Sequence, residues 1–186
     1  MVSGSGEESV AIRAATLDDA GDIERIRVAG WRTAYSGLMP QSYLDALRLD
    51  DEAIAARRRR MDQNPPDVRS LVSEDAAGVT GFVVYGPDRD GHQAAGRTAG
   101  EVFALYVAPP AWSRGHGRAL LDRAVRALAA AGYPEAGLWV LEGNARARSF
   151  YERFGLAPTG QSQLFAIGEV GVPEVRYAIR LAGALG

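Results

Sequence analysis

The chain has no cysteine and only two histidines, His92 and His116. Disulfides, thiolate zinc sites and a cysteine nucleophile are therefore excluded, and a histidine-rich metal centre has too few ligands to draw on. No apolar run approaches the ~18 residues of a membrane span, and the N-terminus lacks the basic and apolar regions of a signal peptide. No membrane partner is expected, and the cytoplasm is the expected location. A net charge of −2 leaves no dominant basic face for nucleic acid. Two nucleotide fingerprints are missing as well. No Gly-Lys-Ser/Thr follows the basic glycine loop at 112–118, and the third glycine and downstream acid of a dinucleotide motif are absent, which argues against a nucleotide-binding oxidoreductase.

What remains is a chain of 186 residues, 47% apolar and 24% charged, which suits one globular domain with a sizeable core. Residues 1–9, rich in Gly, Ser and Glu, read as a flexible tail, and 10–186 as a single domain. A short strand is expected at 10–13. Thr16 followed by Asp19 resembles a capping box and opens a helix over 17–30 with a possible extension to 35, ended by Gly37 and Pro40. Further helices are expected at 42–47 and 50–61, then strands at 69–74 and 79–85 joined by a turn at Gly78. Residues 86–100 show no periodicity and read as a loop. A strand at 101–107, a helix at 117–131, a strand at 137–141, a helix at 144–154 and a last strand at 175–181 after a break at Pro173 complete the order. Hairpin-joined strands followed by a strand–helix–strand–helix passage imply an α/β (α+β) fold with a mixed sheet.

The most informative stretch runs from Leu105 to Leu121, LYVAPPAWSRGHGRALL. A strand-like run ends at prolines, passes through a basic glycine loop and opens into an amphipathic helix. Gly115 and Gly117 let the backbone turn tightly. The N–H groups of Ser113, Arg114, Gly115, His116 and Gly117 can converge on an anion at the helix start, with Arg114 and Arg118 adding charge. A bare strand–helix turn would use the same two glycines, so the loop alone does not decide between the two.

The wider context does. Leu105-Tyr-Val-x-Pro with Trp112-Ser-Arg-Gly-His-Gly-Arg-Ala-Leu-Leu, followed by Asn144-Ala-x-x-x-x-Phe-Tyr-x-x-x-Gly-Leu, closely resembles the cofactor segments of the GNAT superfamily of acyl-CoA-dependent N-acetyltransferases. The resemblance is strong over residues 101–158. Over 10–100 it rests on element order and on Trp31-Arg-Thr-Ala-Tyr-Ser-Gly, which is similar to the acceptor-side helices of many members. It implies a central, mostly antiparallel sheet of about seven strands, splayed between the 101–107 and 137–141 strands. It also implies acetyl-CoA as co-substrate with no metal, and an amine-bearing acceptor that is a small molecule or a protein; independently of the resemblance, the C-terminal strand could pair across a homodimer.

The family pattern is Gln/Arg-x-x-Gly-x-Gly/Ala. Counted from Pro109, its first position is Trp112, a departure from the family, and its glycines are Gly115 and Gly117. A second register, Arg114-x-x-Gly117-x-Ala119, uses the same loop. By resemblance, cofactor contacts fall on Leu105, Tyr106, Val107, Ser113, Arg114, Gly115, His116, Gly117, Arg118, Ala119, Asn144 and Tyr151. Glu101 would assist amine deprotonation, the Val107 N–H would polarise the carbonyl, and Tyr151 would protonate the departing thiolate.

Each assignment has a plainer reading beside it. Glu101 can be a solvent-facing strand end, Tyr151 a core aromatic between Phe150 and Phe154, and Asn144 a helix cap. Trp31 and Tyr35, four apart on a helix, can be a core stripe or the wall of an acceptor pocket. His116, between two glycines, is expected to face solvent. The arginine run 57–60 reads as a solvated helix end. A noncatalytic acyl-CoA-binding module is the remaining alternative from another functional class.

Overall fold

A computed structural model describes residues 10–76 and 78–181. The tail expected at 1–9 lies outside the described residues. In chain order the elements are β1 (Ala11–Ala14), α1 (Ala20–Ala34), α2 (Gln41–Asp45), α3 (Asp51–Asp62), β2 (Arg69–Asp75), β3 (Gly78–Pro87), β4 (Gln93–Ala94), β5 (Arg97–Thr98), β6 (Gly100–Val107), α4 (His116–Ala130), β7 (Glu135–Leu141), α5 (Ala145–Phe154), β8 (Ala157–Ile167) and β9 (Val170–Arg180). Seven strands form one sheet in the order β1-β2-β3-β6-β7-β9-β8, antiparallel throughout except for the β6/β7 pair. That parallel pair is joined through α4, the crossover that parallel neighbours require.

Two apolar layers cover the sheet. On one face Leu120, Leu121, Ala124 and Leu128 of α4, one stripe at helical spacing, pack with Tyr151 of α5 against Val83, Val102, Leu138 and Tyr177. On the other, Ile23 and Ile26 of α1 pack on Val72, Val79 and Phe82. α2 and the β8–β9 hairpin add a third cluster around Leu44, Leu141 and Ile167. The entry to α1 follows the expected cap: the Thr16 N–H donates to Asp19 Oδ2 at 2.7 Å, and Arg13 forks onto both oxygens of that carboxylate. Among the described residues no helix is long and apolar enough to cross a membrane.

Three expectations need correction. β8 was not foreseen, because its eleven residues are nearly all exposed and carry no clean alternation. Pro173 does not break the chain before the last strand but lies within β9, opposite Leu164. β7 ends its pairing at Glu174, so a residue without an N–H is tolerated at 173. Residues 86–100 are not a bare loop, because β4 and β5 form a small hairpin within them.

Two irregularities shape the site. Between Val84 and Tyr85 the β3/β6 register slips by one, a bulge that bends β6. β6 and β7 then pair only at Gly100↔Ala136 and Glu101↔Gly137 before they diverge. A one-residue slip exchanges sheet faces. Glu101 and Tyr106, an odd number of positions apart, therefore both line the same opening.

Candidate active site

The divergence of β6 from β7 opens a cleft of about 1010 Å³ that runs from the 112–118 loop to the β8–β9 hairpin. Its β6 wall is an unpaired strand edge. The Ala108 N–H donates to Thr80 O at 2.7 Å, which makes that pair a hydrogen-bonded one. By the two-residue period of an antiparallel ladder, Tyr106 and Ala104 also turn their backbone groups to β3. Leu105 and Val107 consequently direct theirs into the cleft. One of these groups is already used, because the Trp112 indole N–H donates to Val107 O at 2.7 Å. An extended molecule can add along this edge as a strand would, through the remaining groups.

At one end of the edge lies the loop cradle. Gly115 caps α4 with φ +94°, a left-handed conformation that favours glycine, and a Cβ there would meet nothing within 4 Å. Ser113 also has positive φ, at +64°. Ser113, Gly115, Gly117 and Arg118 line the cleft at the positive end of a fifteen-residue helix, a combination suited to phosphate. Arg146 stacks over the Trp112 ring with its guanidinium carbon 4.1 Å from the centroid, which adds a further cation at this mouth.

Midway, Tyr151 is 9% exposed and its phenol makes no hydrogen bond among the described residues. Burial, then the neighbouring Tyr106, raises its pKa, so the phenol keeps its proton through the neutral range. Tyr35 and Tyr106 meet hydroxyl to hydroxyl at 3.4 Å, and burial raises both. The Trp31 indole N–H is buried with no hydrogen-bond partner among the described residues, while the ring packs edge-on to Tyr35 at 5.3 Å and Phe165 at 6.2 Å.

The far end holds the acids. Glu101 is 1% exposed and fully engaged by Arg89: its Oε2 accepts from the Arg89 N–H at 3.0 Å and from Nε at 3.1 Å, and Oε1 accepts from Nη2. Arg89 lies over Phe103, 4.3 Å from the centroid. The loop carrying Arg89 is organised by buried Asp88, whose Oδ1 accepts the N–H groups of Asp90 and His92 at 3.0 and 2.9 Å. Burial alone would raise Asp88, but the His92 N–H and imidazole outweigh it and hold the carboxyl below its ordinary value. Asp90 accepts from the Trp139 indole at 3.0 Å. Glu174 on β9 lines the opposite wall, accepting one hydrogen bond at 3.2 Å from the Gln163 side-chain amide.

The model of the Acetyltransferase (GNAT) family matches residues 31–156. The chain belongs to that family. Among curated proteins it is 29% identical over 167 residues to "Uncharacterized N-acetyltransferase YuaI" of Bacillus subtilis (strain 168), covering 89% of this chain and 90% of that one. Among solved structures the fold matches the PaiA N-acetyltransferase of Thermoplasma acidophilum in complex with coenzyme A. That match has a TM-score of 0.66 at 18% identity, over 92% of this chain and 99% of that one. It also matches yncA of Salmonella typhimurium, solved with its cofactor acetyl-CoA, with a TM-score of 0.67 at 23% identity, over 96% and 97%. As a GNAT protein it is an acetyl-CoA-dependent acyltransferase, with the mixed, largely antiparallel seven-stranded sheet that the sequence implied.

Most residues named from the sequence are gathered by this GNAT cleft: Trp31, Tyr35, Glu101, Leu105, Tyr106, Val107, Ser113, Gly115, Gly117, Arg118, Asn144 and Tyr151 all line it. Asn144 also caps α5, its Oδ1 accepting from the Ala147 N–H at 3.1 Å. Arg114, His116 and Ala119 are not among the lining residues. His116 is the clear correction, because it is 2% exposed rather than solvent-facing. Its Nδ1 lies 2.8 Å from Thr80 Oγ1 and its Nε2 3.4 Å from Asp75, so the side chain ties the α4 start to the sheet. Sequence reasoning missed Arg89, Asp90, Arg146, Gln163, Phe165 and Glu174. Arg146 falls on an unspecified position of the 144–156 motif and the others on no motif, and only the fold brings residues 89, 146 and 174 to one opening.

Proposed function

We propose that this enzyme transfers the acetyl group of acetyl-CoA to a primary amine, on a small molecule or a protein, within a single ternary complex. The observation that carries the reading is the unpaired β6 edge, which runs from a loop suited to phosphate, past the protonated Tyr151 phenol, to a group of carboxylates at the other end. The residues present fit the co-substrate. Ser113, Gly115, Gly117 and Arg118 would hold its pyrophosphate, with Arg146 on Trp112 standing in for the side chain that the family pattern has at that position. The backbone groups of Leu105 would pair with a pantetheine amide. What acetyl-CoA supplies is an acyl thioester, activated towards an amine.

The protein's own contributions follow from charge. The Val107 N–H points where negative charge develops on the carbonyl oxygen. Tyr151, kept protonated by burial, donates to the departing sulfur. The carboxylates at the far end draw in a cationic amine and take its proton. Glu101 can serve as that base only by giving up its bonds to Arg89.

Calorimetric titration with acetyl-CoA, followed by thiol-release assays with benzylamine, spermidine and a peptide bearing a free N-terminus, tests the reading. Binding with turnover of at least one amine supports it. Tight binding with no thiol release from any of them would leave a noncatalytic acyl-CoA-binding module.

A further inference from the structure

The two glutamates of the cleft are not equivalent, and the difference decides which one can take a proton. Glu101 has both oxygens occupied by one guanidinium, with a backbone N–H besides. An acceptor ammonium could reach that carboxylate only by displacing the guanidinium from a charge-assisted fork. Glu174 has one weak partner, the neutral Gln163 amide, and leaves one oxygen free of any hydrogen bond among the described residues. It is partly exposed, on the wall facing β6, beside the aromatic group of Trp31, Tyr35 and Phe165. It also lies near enough to Tyr35 and Tyr106 for its charge to raise both phenols, and those phenols adjoin Tyr151.

Resting on the amine-acetylation reading above, we propose that Glu174, and not Glu101, takes the proton from the acceptor ammonium, and that the Arg89–Glu101 pair is a positioning element that fixes the acceptor loop. The charged and titratable groups around Glu174 are Arg89 and Asp90 on the loop, Glu101 and Tyr106 on β6, and Tyr35 after α1, with the neutral amide of Gln163 on β8 beside them. Burial raises the Glu174 carboxyl above its ordinary value, and Asp90 and Glu101 push it the same way. Gln163 and Arg89 oppose them without cancelling the rise. A raised carboxylate is a better match for removing an ammonium proton near neutral pH.

The proton bookkeeping closes without an outside reagent. One ammonium proton passes to the Glu174 carboxylate, and the freed nitrogen lone pair forms the C–N bond at the thioester carbonyl carbon. Collapse of the resulting adduct breaks the C–S bond, and its electron pair leaves on sulfur, which takes the Tyr151 proton. The second nitrogen proton, shed as the amide forms, restores the phenol through water. Glu174 then releases its proton to solvent.

Glu174→Gln, Glu174→Asp and Glu101→Gln, assayed for thiol release with the same three amines from acid to alkaline pH, test the assignment. Acetyl-CoA affinity and thermal melting serve as checks on folding. Glu174→Gln should lose about 100-fold in kcat/KM at neutral pH, with the deficit shrinking towards the amine's own pKa. Glu174→Asp should recover part of the rate together with a wild-type-like acid limb. Glu101→Gln should raise the acceptor KM and keep that limb. A wild-type acid limb kept at its wild-type pH in Glu174→Gln, or one abolished in Glu101→Gln, overturns the assignment while leaving acetyl transfer intact. A wild-type enzyme that binds acetyl-CoA but acetylates none of the amines overturns both readings.

Discussion

Gly137 stands opposite Glu101 at the last paired position before β6 and β7 separate, and replacing it by alanine should be unusually costly for so small a change. A Cβ at 137 would be driven into the Arg176 guanidinium, meeting Nη2 and lying 2.8 Å from Cζ, closer than real Cβ atoms come. Arg176 is only 4% exposed and cannot swing into water. It holds Glu135 at 3.1 Å and Asp88 at 3.4 Å, and Asp88 organises the loop that carries Arg89 and Asp90. Removing one partner of a buried pair costs about 3–5 kcal/mol. Asp88 keeps His92 and two N–H donors, which places the expected loss lower, at about 2–3 kcal/mol, or a fall of ~5–10 °C in Tm for a chain of this size. Urea and thermal unfolding of Gly137→Ala, Arg176→Leu and the double variant measure it. If the penalty acts through Arg176, it should shrink to under about 0.5 kcal/mol in the Arg176→Leu background. A full cost persisting there, or a single variant as stable as wild type, would refute the argument.

The remaining predictions concern single side chains. Tyr151→Phe should reduce kcat by about 100-fold or more with acetyl-CoA affinity and Tm nearly unchanged, because the phenol makes no hydrogen bond to a described residue; an unaffected kcat would remove the acid role. Trp112→Phe keeps a ring for Arg146 but frees the Val107 carbonyl, and calorimetry should show acetyl-CoA affinity altered by a few-fold, the scale of about 1 kcal/mol for one hydrogen bond. The Asp19 carboxyl is held below its ordinary pKa, first by the Arg13 fork and also by Thr16, against the opposing effect of burial. A lowered folded-state value means stabilisation that is present above the unfolded pKa of about 3.9 and lost as pH falls through the folded one. Asp19→Asn should therefore cost about 1–2 kcal/mol at neutral pH and progressively less below about pH 3.9, as read by unfolding at a series of pH values.

Local signals carried much of this molecule. The 3.6-residue stripe of Leu120, Leu121, Ala124 and Leu128 marked α4, and the Thr16–Asp19 spacing marked the entry to α1. The Gly115–Gly117 loop, read with Asn144 and Tyr151, marked residues that do line one cleft, because a phosphate cradle of the kind proposed is built from consecutive backbone groups. β8 carried no such signal, because a strand exposed along nearly its whole length shows little apolar alternation. Pro173 was misleading, because its effect depends on whether a neighbouring strand needs the missing N–H, and β7 has stopped pairing by that point.

The sequence by itself determined the family, most of the order of elements and the glycine loop at 112–118, all of which depend on residues close together in the chain. Only the tertiary structure decided the surroundings of the side chains in the cleft. His116 turns inward to Thr80 instead of outward, Trp112 is spent on the Val107 carbonyl and on Arg146, and Glu101 is neutralised by Arg89 across a loop. Glu174 reaches the cleft only because β9 is laid beside β7. Whether a carboxylate can act as a base depends on which partners surround it in space, and those partners come from segments that the chain order leaves far apart.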